Sequence, residues 1–152
     1  MGVRLPPFQA FLDAHREDVY RFLAAIVPHH EVDDCFQETF LSALRAYPKA
    51  RANSDLRAWV MTIAYRKAID AHRARARRAT PVADVPDGVV APSDNGIWEL
   101  VRSLPDKQRA AVVQRFAIGM PYREIGLVVG CSEEATRQNV REGLKKLKEL
   151  AR

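Results

Sequence analysis

The sequence predicts an all-α protein built as two small helical domains joined by a flexible linker. Three observations carry this. Apolar residues recur at helical steps through most of the chain, strand signals are nearly absent, and a proline-bearing stretch over 80–95 breaks the pattern.

Phe8, Phe11, Leu12, His15, Val19, Phe22, Leu23 and Ile26 keep one helical stripe until Pro28 stops it. A second helix is expected from Val32 to Ala46, with Val32, Cys35, Phe36, Phe40, Ala43, Leu44 and Tyr47 inward and Pro48 beyond its end. The polar run Lys49–Ser54 reads as a loop, and Ser54 or Asp55 can cap the third helix. That helix carries Leu56, Trp59, Val60, Ile63, Ala64, Ala68 and Ile69 on its apolar face, then turns strongly basic from His72 to Arg78.

From Thr80 to Asn95 the composition shifts to Pro81, Pro86, Pro92, Gly88 and small residues, and a domain boundary is placed there. The expected division is 5–79, a linker over 80–95, and 96–152. The second domain should hold a short helix near Ile97–Ser103, one from Pro105 to Ile118, and a helix-turn-helix. In that last unit Pro121 suits a first helical turn, and Tyr122, Ile125 and Val129 share a stripe. Gly130 can take the left-handed conformation that ends a helix, and Ser132 can cap the next. Thr136, Val140, Gly143, Leu144 and Leu147 then face inward, opposite Glu134, Arg137, Gln138, Arg141 and Lys145. Such an outward face can meet phosphates and base edges; the plainer alternative is a solvated helical hairpin.

The 152 residues carry a net charge of +5, distributed as two basic blocks around an acidic connector. Residues 1–80 hold 13 Lys/Arg against 9 Asp/Glu, residues 96–152 hold 11 against 7, and 81–95 hold only Asp84, Asp87 and Asp94. Nucleic acid is the default partner of such blocks. Cys35 and Cys131 stand far apart and form neither a disulfide framework nor a metal knuckle. The chain shows no signal sequence and no apolar run of membrane-spanning length, so a cytoplasmic protein without membrane insertion is expected.

Three constellations invite chemistry. Asp34, Gln37, Glu38 and Leu41 share one helix face next to Asp33, giving an acid-amide patch that could dock an Arg-rich partner helix. Acidic residues early in a helix also favour its initiation, which is the competing explanation. Arg66, Lys67, Arg73, Arg75, Arg77 and Arg78, preceded by Arg57, Trp59 and Tyr65, fit a groove for phosphates and an unpaired base. Trp59 on its own reads as a core residue. His29-His30-Glu31-Val32-Asp33-Asp34 does not make a metal site, because neighbouring helical residues point in different directions. No phosphate loop, nucleophile elbow or catalytic carboxylate pair is present, so neither an enzyme nor a cofactor is expected.

Taken in order, these segments resemble bacterial sigma factors. Asp33-Asp34-Cys35-Phe36-Gln37-Glu38-Thr39-Phe40, Leu56-Arg57-Ala58-Trp59, Ile63-Ala64 and Ala68-Ile69-Asp70 are similar to region 2 of the sigma-70 family. Ser103-Leu104-Pro105, Gln108-Arg109, Tyr122-Arg123-Glu124-Ile125-Gly126 and Gly130-Cys131-Ser132 are similar to region 4. With no length left for further domains, the chain resembles the small extracytoplasmic-function class.

The resemblance implies an alternative sigma factor that binds core RNA polymerase and directs it to promoters. It places Asp33, Asp34, Gln37, Glu38 and Leu41 on the β′ coiled coil. It places Asn53, Ser54, Arg57, Trp59, Tyr65, Arg66, Lys67 and Arg73 at the −10 element, where one base is flipped out and held. Arg123, Arg137, Gln138, Arg141 and Lys145 would meet the −35 element in the major groove. An anti-sigma protein is a further partner the class allows. Tyr65-Arg66 stands where Arg-Asn is common, and Asn139 and Glu142 where basic residues are common, which weakens the expected −35 contact. The rival readings are a sigma-like regulator that binds duplex DNA without productive initiation, and a protein-interaction module with merely solvated basic faces.

Overall fold

The computed structural model describes residues 4–51, 55–78 and 96–151. The expected linker over 80–95 therefore lies outside the described residues, as do Asn53 and Ser54. Among those described, every regular element is helical.

α1 (Phe8–Ile26), α2 (His29–Ala46) and α3 (Leu56–Arg77) pack on one another. α1 ends where Val27 turns extended, as the residue before Pro28 is biased to do. α2 begins at His29, three residues before the expected Val32, because Pro28 supplies a ready N-cap backbone. His29 and His30 are exposed, so that first turn left no trace in the apolar periodicity. Asp55 caps α3 by accepting from the Ala58 N–H at 3.1 Å. The core of this group is aromatic. Phe11 sits 5.0 Å from Tyr47, 5.7 Å from Trp59 and 6.5 Å from Phe40 between ring centres, and Trp59 closes on Tyr47 at 6.2 Å. In this group one expectation is corrected: Leu44 is not inward but 50% exposed, lying at the edge of the α2 stripe one turn from exposed Leu41.

α4 (Ile97–Arg102), α5 (Asp106–Val113), α6 (Tyr122–Val129) and α7 (Glu133–Leu150) form the second group. The helix expected to run on to Ile118 changes register after Val113 and closes with a π-helical turn over Gln114–Ile118. Fully buried Gln114 holds that turn, its side-chain nitrogen donating to the Ala110 carbonyl and its backbone carbonyl accepting from Met120 N–H. The turn of the helix-turn-helix is as expected, with Gly130 at φ 75° ending α6 and Ser132 capping α7 through the Ala135 N–H at 3.0 Å, but Leu144, expected inward, is 41% exposed at the edge of the α7 stripe.

α3 has two apolar sides. Beyond the stripe read from the sequence, Met61 and Tyr65 recur at four-residue steps from Arg57, and this side of α3 packs on α6. Tyr65, Ala68, Ile69 and His72 of α3 line one small cavity with Ile26, Asp106, Arg109 and Ala110. The first half of α3, from Leu56 to Ile69, is thus covered on two sides, while its basic end from His72 is largely exposed. No helix among the described residues is long and apolar enough to cross a membrane.

Candidate functional site

Three faces carry the expected site residues. On α2, Asp33, Asp34, Gln37, Glu38 and Leu41 are all exposed, opposite buried Val32, Cys35, Thr39, Phe40 and Ala43. Leu44 extends this face at half exposure, so two leucines flank the carboxylates. A contiguous acidic and apolar strip of this kind suits a basic amphipathic helix. Below it, Glu31 accepts from Arg75 Nε at 2.7 Å and 2.9 Å, tying the start of α2 to the end of α3.

On α7, Arg137, Gln138, Arg141 and Lys145 are exposed, and Ser132, Glu134, Ala135, Arg137, Gln138 and Arg141 line one open groove. Arg123 of α6 is exposed as well. The side chains are pre-arranged along the helix. Arg137 pairs with Glu133 at 3.1 Å, Gln138 donates to Glu142 at 3.1 Å, and Arg141 donates to Gln138 at 3.2 Å. Arg115, which the sequence did not single out, joins them through Tyr122. The Arg115 guanidinium lies 4.3 Å from the centre of the Tyr122 ring and that of Arg137 lies at 4.9 Å. Arg115 also donates to the Met120 carbonyl at 3.3 Å. The signal missed was the seven-residue gap between Arg115 and Tyr122, which only the π-helical turn and Gly119 bring together.

The two atypical residues of α7 have structural tasks. Asn139 donates toward Cys131 Sγ at 3.9 Å, across the turn of the helix-turn-helix. Glu142 accepts from Gln108 of α5 at 3.3 Å as well as from Gln138. Both residues therefore tie α7 to neighbouring segments of the second helical group.

The expected −10 residues split three ways. Arg66 and Arg73 are exposed and, with Tyr65, Ile69, Asp70, Asp106 and Lys107, line a groove between α3 and α5. Lys67 is half-buried, and Trp59 belongs to the aromatic core. Arg57 and Tyr65 face the second helical group. Arg57 donates to both Glu124 oxygens, from Nε at 2.5 Å and Nη2 at 2.8 Å, and lies 3.9 Å from Asp18. Those hydrogen bonds hold the Arg57 guanidinium above the usual arginine range. Burial, with Asp106 nearby, pushes the Tyr65 phenol up.

Residues 11–78 match the model of sigma-70 region 2, and residues 100–149 match that of sigma-70 region 4. The ECF RNA polymerase sigma factor ShbA of Streptomyces griseus is 30% identical over 138 residues, covering 80% of this chain and 72% of the relative. The chain belongs to the extracytoplasmic-function sigma factors. RNA polymerase sigma factor CarQ of Myxococcus xanthus is 29% identical, covering 94% of this chain and 88% of its own. The fold also matches RpoE of Bartonella quintana, solved with the anti-sigma factor NepR, at a TM-score of 0.82 and 21% identity over 95% and 96% of the two chains. This sigma factor therefore binds core RNA polymerase and promoter DNA and is not itself an enzyme.

Proposed function

We propose that the acidic strip of α2 docks the polymerase, that α3 takes the −10 element and that α7 takes the −35 element. The observation that carries this is the exposure of Asp33, Asp34, Gln37, Glu38 and Leu41 on a helix whose other face is core. Leu41 and Leu44, at 45% and 50% exposure beside the carboxylates, give the strip an apolar surface that a partner can cover. Arg137, Gln138 and Arg141 have the donors for base edges, Lys145 and Arg123 those for phosphate. Tyr122 holds Arg115 and Arg137 together, so a phosphate can be met by two guanidiniums at one point. Asn53, Ser54, Arg57, Trp59, Tyr65, Arg66, Lys67 and Arg73 make up the −10 set, with Trp59 supporting it from the core.

The domain division at 80–95 and action in the cytoplasm belong to the same reading. RpoE and CnrH, whose folds this chain shares, were solved with the anti-sigma factor NepR and the cytosolic domain of CnrY. A protein of that kind is proposed as the regulator here.

The test is charge reversal. Asp34→Arg and Glu38→Arg should weaken binding to core polymerase at least about tenfold while melting temperature stays unchanged, given the cost of like charge at a complementary interface. Undiminished binding by both variants removes the α2 assignment.

A further inference from the structure

The arginines at the basic end of α3 do not share one face. Arg66, Arg73 and Arg77 follow one another at helical steps along one side, and all three are exposed. Arg75 falls on the opposite side, where the stripe of buried Ala64 and Ala68 would continue. There its Nε donates to both oxygens of Glu31, in the first turn of α2, at 2.9 Å and 2.7 Å. The two side chains are 32% and 14% exposed. We propose that Glu31 and Arg75 are a positioning pair, which holds the end of α3 so that Arg73 and Arg77 meet phosphates, while Arg75 itself touches no DNA. The inference rests on the assignment of Arg66 and Arg73 to the −10 element and extends it to Arg77.

That end of the helix needs a hold. His72, Arg73, Ala76, Arg77 and Arg78 are exposed, so apolar burial beyond Ala71 contributes little to keeping the last turns formed. Arg73 and Arg77 stand four residues apart, where like charges repel on a helix. A frayed end would have to be ordered when DNA arrives, and that ordering subtracts from affinity. Glu31 answers this with a carboxylate at the start of α2 and a cation in the last turn of α3, both placements that the helix dipoles favour.

The pair also joins two tasks of the protein. Glu31 precedes Asp33 by two residues, so the helix that carries the acidic docking strip anchors the DNA-binding end of α3 as well. A carboxylate beside a phosphate-binding face is by charge alone a disadvantage, since it repels the strand. Glu31 is worth keeping there only through what it does to Arg75. Positioning and plain electrostatics therefore predict opposite signs when Glu31 is removed.

The measurement is binding of a mixed-sequence duplex ending in a single strand by core polymerase carrying the protein, over a salt series. Glu31→Ala should weaken binding roughly fivefold, the scale of one phosphate contact near physiological salt, although the protein becomes more positive. Amide hydrogen exchange over residues 73–78 should quicken in the same variant. Glu31→Arg should also weaken binding. Combined with Arg75→Glu it should return to within about twofold of wild type, a rescue that lost folding would not show. Arg73→Gln should lower the salt slope by about one. Glu31→Ala binding as tightly as wild type or more tightly, or a swapped pair that stays weak, would overturn the positioning pair. Arg73→Gln without effect would instead sink the −10 reading beneath it, so the two failures are told apart.

Discussion

A β-carbon on Gly126 would lie 2.6 Å from the carbonyl oxygen of Cys131 and 3.1 Å from the Thr136 hydroxyl. Gly126 is thus the point where α6 and the turn of the helix-turn-helix come too close for a side chain. Its own carbonyl accepts from the N–H groups of Gly130 and Cys131 at 2.9 and 3.0 Å, which fixes the turn. Gly126→Ala should push the turn away at a cost of about 1–3 kcal/mol, the usual range for overpacking. Thermal unfolding checks this; a melting temperature equal to wild type would show that the turn yields freely.

Arg115 is expected to act at DNA through its place over Tyr122. Arg115→Ala should weaken binding of −35 duplex evenly across sequences and lower the salt slope by about one, as loss of a phosphate contact does. Arg141→Ala should instead cost about 1–3 kcal/mol at one base position and relax preference there. Anisotropy titrations over a salt series and a set of base substitutions distinguish the two. Equal sequence profiles for both variants would contradict the split.

Glu142 holds α7 to α5 through Gln108 and positions Gln138. Glu142→Lys, which restores the basic residue common in the family, should add DNA affinity at low salt yet lower stability by about 1 kcal/mol, the usual worth of a hydrogen bond. Denaturant unfolding and DNA titration on the same variant test both signs. A variant that gains both would show the tie to be idle.

Burial lowers the His15 imidazole below its ordinary value, with Asp18 opposing and Arg57 assisting. Above about pH 7.5 the ring is neutral in folded and unfolded chains alike, and pH has no hold through it. Below that the unfolded chain binds the proton first, so stability falls with falling pH until the folded ring also titrates. His15→Gln should flatten the pH dependence of the melting temperature between pH 7.5 and about 5.5. An unchanged slope would mean that His15 is already solvated in the native protein.

The fold was largely legible because its helices are amphipathic and their ends are marked. Pro28, Asp55, Gly130 and Ser132 all stand where the helix ends need them. What the sequence hid follows from packing. The second side of α3 was obscured because Arg57 and Tyr65 read as polar, although one is paired and the other half-buried. The π-helical turn leaves no periodic signal of its own, so the meeting of Arg115 with Tyr122 was invisible. Leu44 was read inward because a helical stripe is broad and its edge residues fall either way. The contacts of Asn139 with Cys131 and of Glu142 with Gln108 were hidden because pairing between helices cannot be read from one helix alone.

Run-off transcription with purified core polymerase tests the central claim most directly. Genomic fragments are transcribed with core alone, with the protein added, and with the Asp34→Arg, Glu38→Arg variant added. Discrete transcripts that need both core and wild-type protein, and that are lost with the variant, are the expected result. Duplex binding by the protein with no core-dependent transcript from any fragment would contradict it.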